Sequence, residues 1–592
     1  MLSNKPHIRN LVEICAQKGI QQVVISPGSR NAPLVISFNE HVQFNCLSIP
    51  DERVAGFFAL GIAQQTRKPV IITCTSGTAS LNFAPAIAEA FYQKVPLLVL
   101  TADRPVEWIH QGEGQSIAQR NVFANYVKKS YELPQEVTDR DELWSANRII
   151  CEAIDKTTEG WGGPVHLNIP FREPLYDKAD YSQQSLPKII ESTVFEKKLN
   201  DKTLVELAAI WQSTPKKMIL CGALPITDKS ESQLLTSLLA TLNQDSSLVV
   251  FSEITSNLKN PTFFGSFDSL LSTVEQSESE DFAPDLLVTI GGSFISKRIK
   301  LWLRQFSPKA HWHVENIDYH VDTFQALTKT INISPVTFFQ QLVTKIQNTK
   351  KNILKIGEQK SYQQLWINRA KNVRKAHEKF LKKVAWSDIK VFDMLLPNLP
   401  EKTNLHLANS TPIRYAQLFP YRSDIRYNAN RGVAGIDGST STAAGAAHIT
   451  QLPTTIITGD ISFFYDSNAF WHHHLSEHLR IVLINNSGGN IFRFIKGPDT
   501  TDQLSDYFEA HHQRSAEYVA KTFNLNYFVA TNEESLAQLL PTYFAPTANQ
   551  RPSILEIQTP RMDNASIWRQ YYQYLKKTPK RKTWSKTGKI KQ

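Results

Sequence analysis

The chain has 592 residues, 41% of them hydrophobic, which is enough apolar material for about three or four domains. Its longest apolar runs are far shorter than the roughly 20 residues that cross a membrane, and its first residues lack the apolar core of a signal peptide. We therefore expect a cytoplasmic protein with no membrane partner. Most of the net charge of +10 lies in residues 576–592, which contain Lys and Arg but no acidic residue. The nearly neutral body argues against a nucleic-acid-reading fold, and we interpret residues 576–592 as a solvated tail, with an anionic partner as the alternative.

The first part of the chain alternates short β-branched runs with longer stretches of helical periodicity. The pattern predicts strands at 21–26, 69–75 and 95–102 and helices at 51–65 and 80–93. Strands that alternate with helices indicate a parallel sheet with helices on both faces. We therefore predict an α/β domain at the N-terminus.

Two further blocks of the same kind follow, and a Lys-rich stretch at 339–383 predicts helix between them. Their strand candidates lie at 216–222, 246–252, 284–292 and 310–315, and at 404–410, 454–460, 479–486 and 553–559. The predicted fold class is α/β, with three doubly wound domains and mainly parallel sheets. The predicted divisions are residues 1–180, a polar linker at 181–200, residues 201–380, residues 381–570 and the basic tail at 576–592.

Asp460 and Asn486 each follow a predicted strand, 26 residues apart. Ligands of parallel sheets bind at the carboxyl ends of strands, so these side chains are expected at a binding site. A carboxylate, an amide oxygen and a carbonyl from the turn at Gly488 form a hard oxygen site that suits Mg²⁺. The small residues Gly488 and Gly489 let the backbone approach a phosphate. Each feature alone is an ordinary turn, but together they predict a magnesium ion that holds a diphosphate.

The spacing of Asp460 and Asn486 resembles the Gly-Asp…Asn-Asn motif of thiamine diphosphate enzymes, with Ile461 in place of the usual glycine. These enzymes also need a carboxyl group that faces the aminopyrimidine of the cofactor, and they take it from a separate domain. Glu52 lies at a strand-to-helix junction before an apolar helix and upstream of the turn TSGTA at 75–79. Alone it would be a charge that stabilises the helix N-terminus. The resemblance instead implies that Glu52 activates the cofactor.

A narrower resemblance rests on motifs in both outer domains and one segment of the middle domain. These are SPGSR at 26–30, DERVAGFFALG at 51–61, TADRP at 101–105, GGSFISKR at 291–298, NRGVAGIDG at 430–438 and NNSGGNIF at 485–492. Together they resemble the 2-succinyl-5-enolpyruvyl-6-hydroxy-3-cyclohexene-1-carboxylate synthase family of menaquinone biosynthesis. The resemblance implies a pyrimidine-binding domain, a Rossmann-like middle domain and a diphosphate-binding domain, assembled as a homodimer or homotetramer.

This resemblance also implies a reaction and its small-molecule substrates. The enzyme would decarboxylate 2-oxoglutarate and add the resulting succinic semialdehyde carbanion equivalent to isochorismate, with release of carbon dioxide. Thiamine diphosphate and Mg²⁺, or Mn²⁺, would be the cofactors. Because both substrates are dicarboxylates, the site needs several cations with the fork geometry of arginine.

The site residues that the resemblance implies fall into three groups. The metal ligands would be Asp460, Asn486 and the carbonyl of Gly488. Contacts to thiamine diphosphate would come from Glu52, Ser76, Gly77, Thr78, Ile436, Gly459, Ser462 and Ile491, with Ile436 as an apolar wedge. Substrates would contact Ser29, Arg30, Arg104, Gln115, Lys297, Arg298, Ser410, Arg414, Arg431 and Phe492. Of these, Arg30, Gln115, Arg414 and Arg431 would serve catalysis beside Glu52. The alternative for any single arginine is a surface ion pair.

Two other functions stay open at this stage. Another thiamine diphosphate enzyme of the same architecture, such as an acetohydroxyacid synthase or a 2-oxo acid decarboxylase, shares the cofactor motifs but not SPGSR. A catalytically silent protein that binds nucleic acid or membrane through its tail is disfavoured by the presence of Glu52 and Asp460. The histidines at 472–474 and 478 could suggest zinc, but in a helix only His474 and His478 would share a face.

Overall fold

The structure is a computed structural model that describes residues 1–181, 185–193, 195–224, 229–348, 361–495, 497–545 and 551–577. Within these residues it contains three extended sheets, all of whose strand pairs are parallel. Helices and strands alternate along the chain, so the predicted α/β class with mainly parallel sheets is confirmed. The exact domain boundaries stay a prediction. None of the described helices is both long enough and apolar enough to span a membrane.

The first sheet has six strands in the order β3-β2-β4-β5-β7-β6, and a short antiparallel pair joins β1 to β8. Its strands are β1 Leu2–Ser3, β2 Gln22–Ile25, β3 Asn45–Ser48, β4 Val70–Cys74, β5 Leu97–Asp103, β6 Ser130–Glu132, β7 Val165–Pro170 and β8 Lys178–Ala179. Its helices are α1 Pro6–Gln17, α2 Ala32–Glu40, α3 Glu52–Thr66, α4 Thr78–Asn82, α5 Ala84–Gln93 and α6 Arg140–Thr158. Buried aliphatic side chains of β4 and β5 alternate between two core clusters, as expected for a sheet covered on both faces.

The middle sheet has five strands in the order β10-β9-β11-β12-β13. These are β9 Lys217–Cys221, β10 Leu248–Ser252, β11 Leu286–Ile290, β12 Ala310–Val314 and β13 Lys329–Ile331. The accompanying helices are α7 Asp201–Ser213, α8 Lys229–Leu242, α9 Phe267–Leu271, α10 Ser279–Phe282, α11 Lys297–Gln305 and α12 Pro335–Asn348. One face of this sheet shares its core cluster with the third sheet, so the two units pack through apolar side chains.

The third sheet has six strands in the order β15-β14-β16-β17-β19-β18. After α13 Tyr362–Leu381 and α14 Asp388–Asn398, its strands are β14 Asn404–Leu407, β15 Arg426–Asn428, β16 Thr454–Gly459, β17 Leu479–Asn485, β18 Asn526–Ala530 and β19 Ser553–Gln558. The remaining helices are α15 Thr411–Ala416, α16 Ser439–Thr450, α17 Asp460–Tyr465, α18 Glu517–Thr522, α19 Glu533–Tyr543 and α20 Asp563–Lys576. Helix α20 includes Lys576, the first residue of the predicted basic tail, and residues 578–592 of that tail lie outside the described residues, so the division stays a prediction.

The first and third sheets have the same strand order. If the six strands of each sheet are numbered along the chain from β2 and from β14, both sheets have the order 2-1-3-4-6-5. In both, the order reverses between the first and third of these strands, which are β2 and β4 in one sheet and β14 and β16 in the other. Ligands of open α/β sheets bind at the carboxyl ends of the strands at such a switch point. The two sheets therefore present two equivalent binding edges.

The first and third units pack directly through α3 and α16. A side chain at Gly61 would lie 2.0 Å from the carbonyl oxygen of Thr442, and one at Gly445 would lie 2.0 Å from that of Phe58. Only glycine lets the two helix backbones approach so closely. The glycines of the sequence thus fix the contact between the units that carry the two binding edges.

Three local predictions differ from the structure. The helix predicted at 80–93 is divided at Phe83 into α4 and α5, because Pro85 in the first turn of α5 has no N–H for a continuous helix. Residues 471–473 form bends and residues 474–476 have no regular secondary structure, so the helical geometry assumed for the histidine run is wrong. The short strands β1, β3, β6, β8, β13, β15 and β18 and the buried strand β7 were not predicted.

Candidate active site

Asp460 is the first residue of α17, directly after β16, and is buried at the third sheet's binding edge. Its Oδ2 accepts hydrogen bonds from the backbone N–H of Asn486 at 3.1 Å and of Gly488 at 2.9 Å. Its Oδ1 accepts one from its neighbour Ile461 at 2.7 Å. The three donors hold the carboxylate in one orientation, and carboxylate oxygens retain lone pairs for a cation.

Asn486 follows β17 and places an unpartnered oxygen in this region. Its Nδ2 donates to Oδ2 of Asp388 at 3.0 Å, whereas its Oδ1 is buried without a hydrogen-bond partner among the described residues. A buried polar atom without a partner destabilises the fold unless a ligand satisfies it. Gly488, with a φ of +150° that favours glycine, has a carbonyl that accepts from Asn490 N–H at 2.9 Å. Asp460, Asn486 and Gly488 therefore fit a Mg²⁺ site.

The segment 504–512 covers this turn and was not predicted. The carbonyl of Glu509 accepts from Gly489 N–H at 2.6 Å, and its buried carboxylate pairs with Arg493 and Arg561. Nε2 of His512 lies 3.5 Å from Oδ2 of Asp460. Neither residue belongs to a recognisable motif, because the contacts depend on how the segment folds back over the metal turn.

Ile436 and Ser462, two predicted cofactor contacts, lie side by side. Oγ of Ser462 donates to the carbonyl of Ile436 at 2.8 Å. Ser462 lies in α17 with Asp460, so this bond joins the loop of the NRGVAGIDG motif to the metal turn. Gly459 precedes α17 as its N-cap residue. Ile491 and Phe492 lie just beyond, half-buried in a short 3₁₀ turn.

Glu52 is the first residue of α3, after the capping residue Asp51. Its carboxyl group is half-buried and its Oε2 accepts from Nδ2 of Asn82 at 3.2 Å. Its neighbours connect it to the third unit, since Oδ2 of Asp51 accepts from Nδ2 of Asn468 at 2.8 Å. The apolar helix predicted to follow Glu52 is present and buried.

The turn predicted to bind the cofactor after β4 packs against Gln115. Oγ of Ser76 donates to the carbonyl of Gln115 at 2.8 Å, and Gly77 N–H donates to Oε1 of Gln119 at 2.7 Å. A side chain at Gly77, whose φ is +83°, would lie 3.0 Å from the Cα atom of Gln115. Thr78 follows at the exposed start of α4. The structure thus brings three of the predicted residues, Ser76, Gly77 and Gln115, into one loop cluster.

Arg30 and Arg104 form the cationic part of the first sheet's edge. Arg30 is buried, and its Nη1 donates to the carbonyl of Phe171 at 3.0 Å and pairs with Glu173 at 3.1 Å. Burial and the neighbouring Arg104 lower the pKa of Arg30. Nη2 of Arg104 donates to the carbonyl of Gly114 at 2.9 Å. Ser29 precedes Arg30 and is exposed.

Asp103 is a buried carboxylate at this edge that was not predicted. It accepts from Nδ2 of Asn168 at 2.9 Å, and burial raises its pKa to about 6. It immediately precedes Arg104 in the predicted TADRP motif. The signal in the sequence is that Asp103 stands at the end of an apolar strand, as Asp460 does. The same reasoning that singled out Asp460 would therefore also have indicated Asp103.

Arg431 and Arg414 form a second cationic group, at the edge of the third sheet. Nη1 of Arg431 donates to Oδ1 of Asn409 at 2.9 Å, and Nη1 of Arg414 donates to the carbonyl of Ile295 at 3.2 Å. Burial lowers the pKa of both guanidinium groups. Ser410 follows Asn409 with a φ of +72°, a strained conformation for serine that is typical of binding sites.

Glu253 is a buried carboxylate beneath this second group. It accepts from the backbone N–H of Ile295 and Ser296, and burial raises its pKa to about 7. Its charge acts on Arg431 and on Lys300. Neither Glu253 nor Lys300 was predicted from the sequence, since neither lies in a motif.

Lys297 and Arg298 are both exposed at the start of α11. The guanidinium of Arg298 lies 4.9 Å from the ring centroid of Tyr572. Lys300, one helical turn further, is the lysine whose pKa burial lowers and whose charge acts on Arg414 and Arg431. Of the cations of α11, Lys300 is therefore more closely associated with the arginines than Lys297.

Glu89 joins the two binding edges. From α5 its buried carboxylate accepts from the backbone N–H groups of Gly432 at 2.6 Å, Val433 at 2.7 Å and Ala434 at 3.3 Å. These residues lie between Arg431 and Ile436 in the NRGVAGIDG motif. Glu89 therefore holds the backbone of the loop that carries both.

Comparisons with known proteins identify the family of this arrangement. Residues 8–123 match the model of the thiamine pyrophosphate enzyme N-terminal TPP binding domain, and residues 195–407 match that of the "Middle domain of thiamine pyrophosphate". A 2-succinyl-5-enolpyruvyl-6-hydroxy-3-cyclohexene-1-carboxylate synthase of Flavobacterium johnsoniae is 42% identical over 96% of this chain and 98% of its own length. The chain belongs to this synthase family. Synthases of the same name from Bacteroides thetaiotaomicron and Porphyromonas gingivalis are each 37% identical over 97% of this chain, covering 100% and 98% of their own lengths. As a member of the synthase family, the chain is a thiamine diphosphate-dependent enzyme.

Proposed function

We propose that this enzyme decarboxylates 2-oxoglutarate and adds the remaining four-carbon unit to isochorismate in menaquinone biosynthesis. The products are 2-succinyl-5-enolpyruvyl-6-hydroxy-3-cyclohexene-1-carboxylate and carbon dioxide. The observation that carries the proposal is the pair of arginine groups at the two binding edges, the buried Arg30 with the half-buried Arg104 and the half-buried Arg414 with Arg431. Two separate cationic groups suit two dicarboxylate substrates, and a site for a monocarboxylate such as pyruvate does not need both.

The metal in this proposal is Mg²⁺, with Mn²⁺ as a substitute of similar preference for oxygen. Asp460, Oδ1 of Asn486 and the carbonyl of Gly488 would hold it, and the unpartnered Asn486 oxygen is the observation that supports the fit. The metal would neutralise the diphosphate of the cofactor and fix it at the third sheet.

When bound, thiamine diphosphate supplies the carbon nucleophile and stabilises the electron pair left by decarboxylation. Glu52 would hold or release a proton at its carboxyl group facing the aminopyrimidine ring, and would promote activation of the cofactor in this way. Ile436 offers an apolar side chain beside that cofactor, and the Ser462 hydrogen bond to its carbonyl keeps the loop in place. Ser76, Gly77, Thr78, Gly459 and Ile491 complete the cofactor contacts.

The cations orient and hold the substrate carboxylates. Arg30, Arg104, Gln115 and Ser29 would bind at the first sheet, and Arg414, Arg431 and Ser410 at the third. Lys297 and Arg298 would contribute from the exposed start of α11, and Phe492 would shield the reacting carbon from water. The burial of Arg30 and the partial burial of Arg104, Arg414 and Arg431 strengthen their attraction to carboxylates, because less water competes.

We infer that the working enzyme is a cytoplasmic homodimer, or a homotetramer built from two such dimers. Tyr465 and Trp471 lie just beyond the metal turn and are 53% and 54% exposed, and Trp108 beyond the TADRP motif is 47% exposed. Large exposed aromatic side chains are enriched at protein interfaces. Sedimentation at micromolar concentration tests the assembly, and a fully active monomer would contradict it.

The decisive experiment incubates the protein with 2-oxoglutarate, isochorismate, thiamine diphosphate and Mg²⁺ and identifies the products by mass spectrometry. We expect the 14-carbon adduct and carbon dioxide only when both substrates are present. Matched reactions replace 2-oxoglutarate with pyruvate or omit isochorismate. Acetolactate from pyruvate, or rapid release of free aldehyde without isochorismate, would assign the enzyme to one of the other thiamine diphosphate reactions.

A further inference from the structure

Asp388 is a buried carboxylate at the start of α14 that contacts one of the proposed metal ligands. Its Oδ2 accepts from Nδ2 of Asn486 at 3.0 Å. Its Oδ1 accepts from Oγ1 of Thr559 at 2.6 Å and from Nδ2 of Asn564 at 3.0 Å. We propose that Asp388 is a positioning residue that fixes the amide of Asn486 with its oxygen toward the metal. This inference rests on the proposed function, in which Asn486 is a ligand.

The orientation of both amides in this cluster follows from donors that cannot change role. The backbone N–H of Asp388 can only donate, and it donates to Oδ1 of Asn564 at 2.8 Å. Nδ2 of Asn564 must therefore face Oδ1 of Asp388. Because Oδ2 of the carboxylate is also an acceptor, Asn486 must turn its Nδ2 toward Asp388 and its Oδ1 away.

The oxygen that this arrangement leaves free is the one the metal needs. Oδ1 of Asn486 has no partner among the described residues, and the backbone N–H of the same residue donates to Asp460 at 3.1 Å. A reversed amide would present N–H donors to the cation, which cannot ligate it. Asp388 thus acts on the metal through Asn486, as carboxylates behind metal ligands commonly do.

The first variant, Asp388→Asn, tests this role with nearly unchanged shape. Because Asn564 is fixed by the backbone, the oxygen of the introduced amide must stay on the side of Asn564, and its N–H₂ group then faces Asn486. Asn486 must turn its oxygen toward that group and its nitrogen toward the metal. We expect the Kd for Mg²⁺, measured by calorimetry with the full chain at a fixed high concentration of thiamine diphosphate, to rise roughly 10- to 100-fold.

The reciprocal variant, Asn486→Asp, places two hydrogen-bond acceptors opposite each other, whereas Asp388→Asn places two amides opposite each other. Asn486→Asp supplies a carboxylate, which is ordinarily a better Mg²⁺ ligand than an amide. One of its oxygens would nevertheless face Oδ2 of Asp388, where the structure has a 3.0 Å contact, so we expect weaker Mg²⁺ binding than in the wild type. This variant is informative even if Asp388→Asn does not fold, since tighter Mg²⁺ binding would overturn the proposal.

The double variant Asp388→Asn with Asn486→Asp exchanges donor and acceptor and restores a compatible pair. Its introduced amide donates to one oxygen at position 486 and leaves the other for the metal. We expect its Kd for Mg²⁺ to return to within roughly tenfold of the wild type, a coupling that independent losses do not produce. Asp393→Asn, on the same helix but paired with Lys390, is the matched control and should bind Mg²⁺ normally.

Thermal unfolding without metal separates positioning from a purely structural role. A lower Tm of Asp388→Asn with an unchanged Kd for Mg²⁺, or a double variant that binds no better than the single variants, would overturn the proposal. Asp460→Ala is measured in parallel. If it also leaves the Kd unchanged, the proposed metal site itself is wrong. If it abolishes binding while Asp388→Asn does not weaken it, only the role of Asp388 is wrong.

Discussion

The first and third sheets have the same strand order but use their binding edges differently. At the third sheet, Asp460 is buried and accepts three backbone hydrogen bonds, and Asn486 is held by Asp388. At the first sheet, Glu52 is only half-buried and Ser29 is exposed. The third edge is thus preorganised within one chain, whereas the first leaves its reactive group open to whatever packs over it.

This difference matches two tasks that need different environments. A metal and a diphosphate are held by fixed ligands, so the groups around them must be rigid before binding. A carboxyl group that moves a proton needs access to the ring nitrogen of a bound cofactor. The edge of the third sheet, with Asp460, is therefore the anchoring edge, and the edge of the first sheet, with Glu52, is the reactive edge. Variants at the anchoring edge should lose cofactor binding, whereas variants at the reactive edge should lose turnover.

The largest expected effect is at the reactive edge, with Glu52→Gln. The variant keeps the size of the side chain and a hydrogen bond to Asn82 but cannot transfer a proton. We expect kcat to fall roughly 10²- to 10⁴-fold while the affinity for thiamine diphosphate stays near that of the wild type. Steady-state kinetics and calorimetry measure the two quantities, and Glu206→Gln on the exposed face of α7 is the matched control. Wild-type turnover would break the assignment of Glu52.

At the anchoring edge, Asp460→Ala should fail first in binding. Loss of this ligand should raise the Kd for Mg²⁺ by about 100-fold or more. Changes to residues that only support a metal ligand already cost roughly 10- to 100-fold, and loss of the ligand itself should cost at least as much. Excess thiamine diphosphate and Mg²⁺ should recover part of the activity. Asp563→Ala, at the exposed start of α20, serves as the control. Normal cofactor retention by Asp460→Ala would remove the contrast between the two edges.

The sequence predicted the fold class because strand periodicity and helix start signals were both clear. Asp51 before α3 and the apolar runs of β4, β5, β16 and β17 gave strong local signals. The strands missed were mostly short edge strands: β15 has only three residues, and only one of the five residues of β18 is buried, so neither shows a clear apolar periodicity. Pro85 marked the break between α4 and α5, but its helix-terminating role was overlooked.

In the site, the sequence motifs predicted the residues proposed to contact the cofactor, metal and substrates. They did not predict the buried residues that hold these contact residues in place. Asp388, Glu89 and Glu253 are buried carboxylates whose partners lie 98, 343 and 42 residues away in the chain. Such long-range pairs have no local spacing, so a single sequence cannot indicate them. The predicted ligand roles of the motif residues remain predictions until the variants are measured.

A smaller effect should distinguish the two arginine groups. Arg431 is half-buried and donates to Asn409, whereas the more deeply buried Arg30 already pairs with Glu173. Replacing Arg431 with lysine should raise KM for one substrate roughly 10- to 100-fold, since a charged hydrogen bond and the fork geometry are lost. Arg30→Lys should raise it less. Steady-state kinetics with each substrate varied in turn checks the order, and a larger effect at Arg30 would reverse the comparison.

The smallest effect on turnover is expected from Glu253→Gln, which instead changes the dependence of stability on pH. Burial raises the pKa of Glu253 from 4.5 to about 7, so ionisation opposes folding. Below about pH 4.5 the carboxyl is protonated in both states, and its contribution to stability is fully present. As the pH rises through about 7 that contribution is lost, an effect of about 3 kcal/mol at most.

Glutamine does not titrate, so the gain in stability of Glu253→Gln over the wild type should grow between pH 5 and 7.5. Thermal unfolding of the two proteins at both pH values measures that difference, with Glu206→Gln showing none. Ionised Glu253 would then lower the stability of the fold, and the nearby charge of Arg431 would offset part of that cost. A difference that stays constant with pH would mean that Glu253 is already ionised at pH 5, and that the third edge holds it as firmly as it holds Asp460.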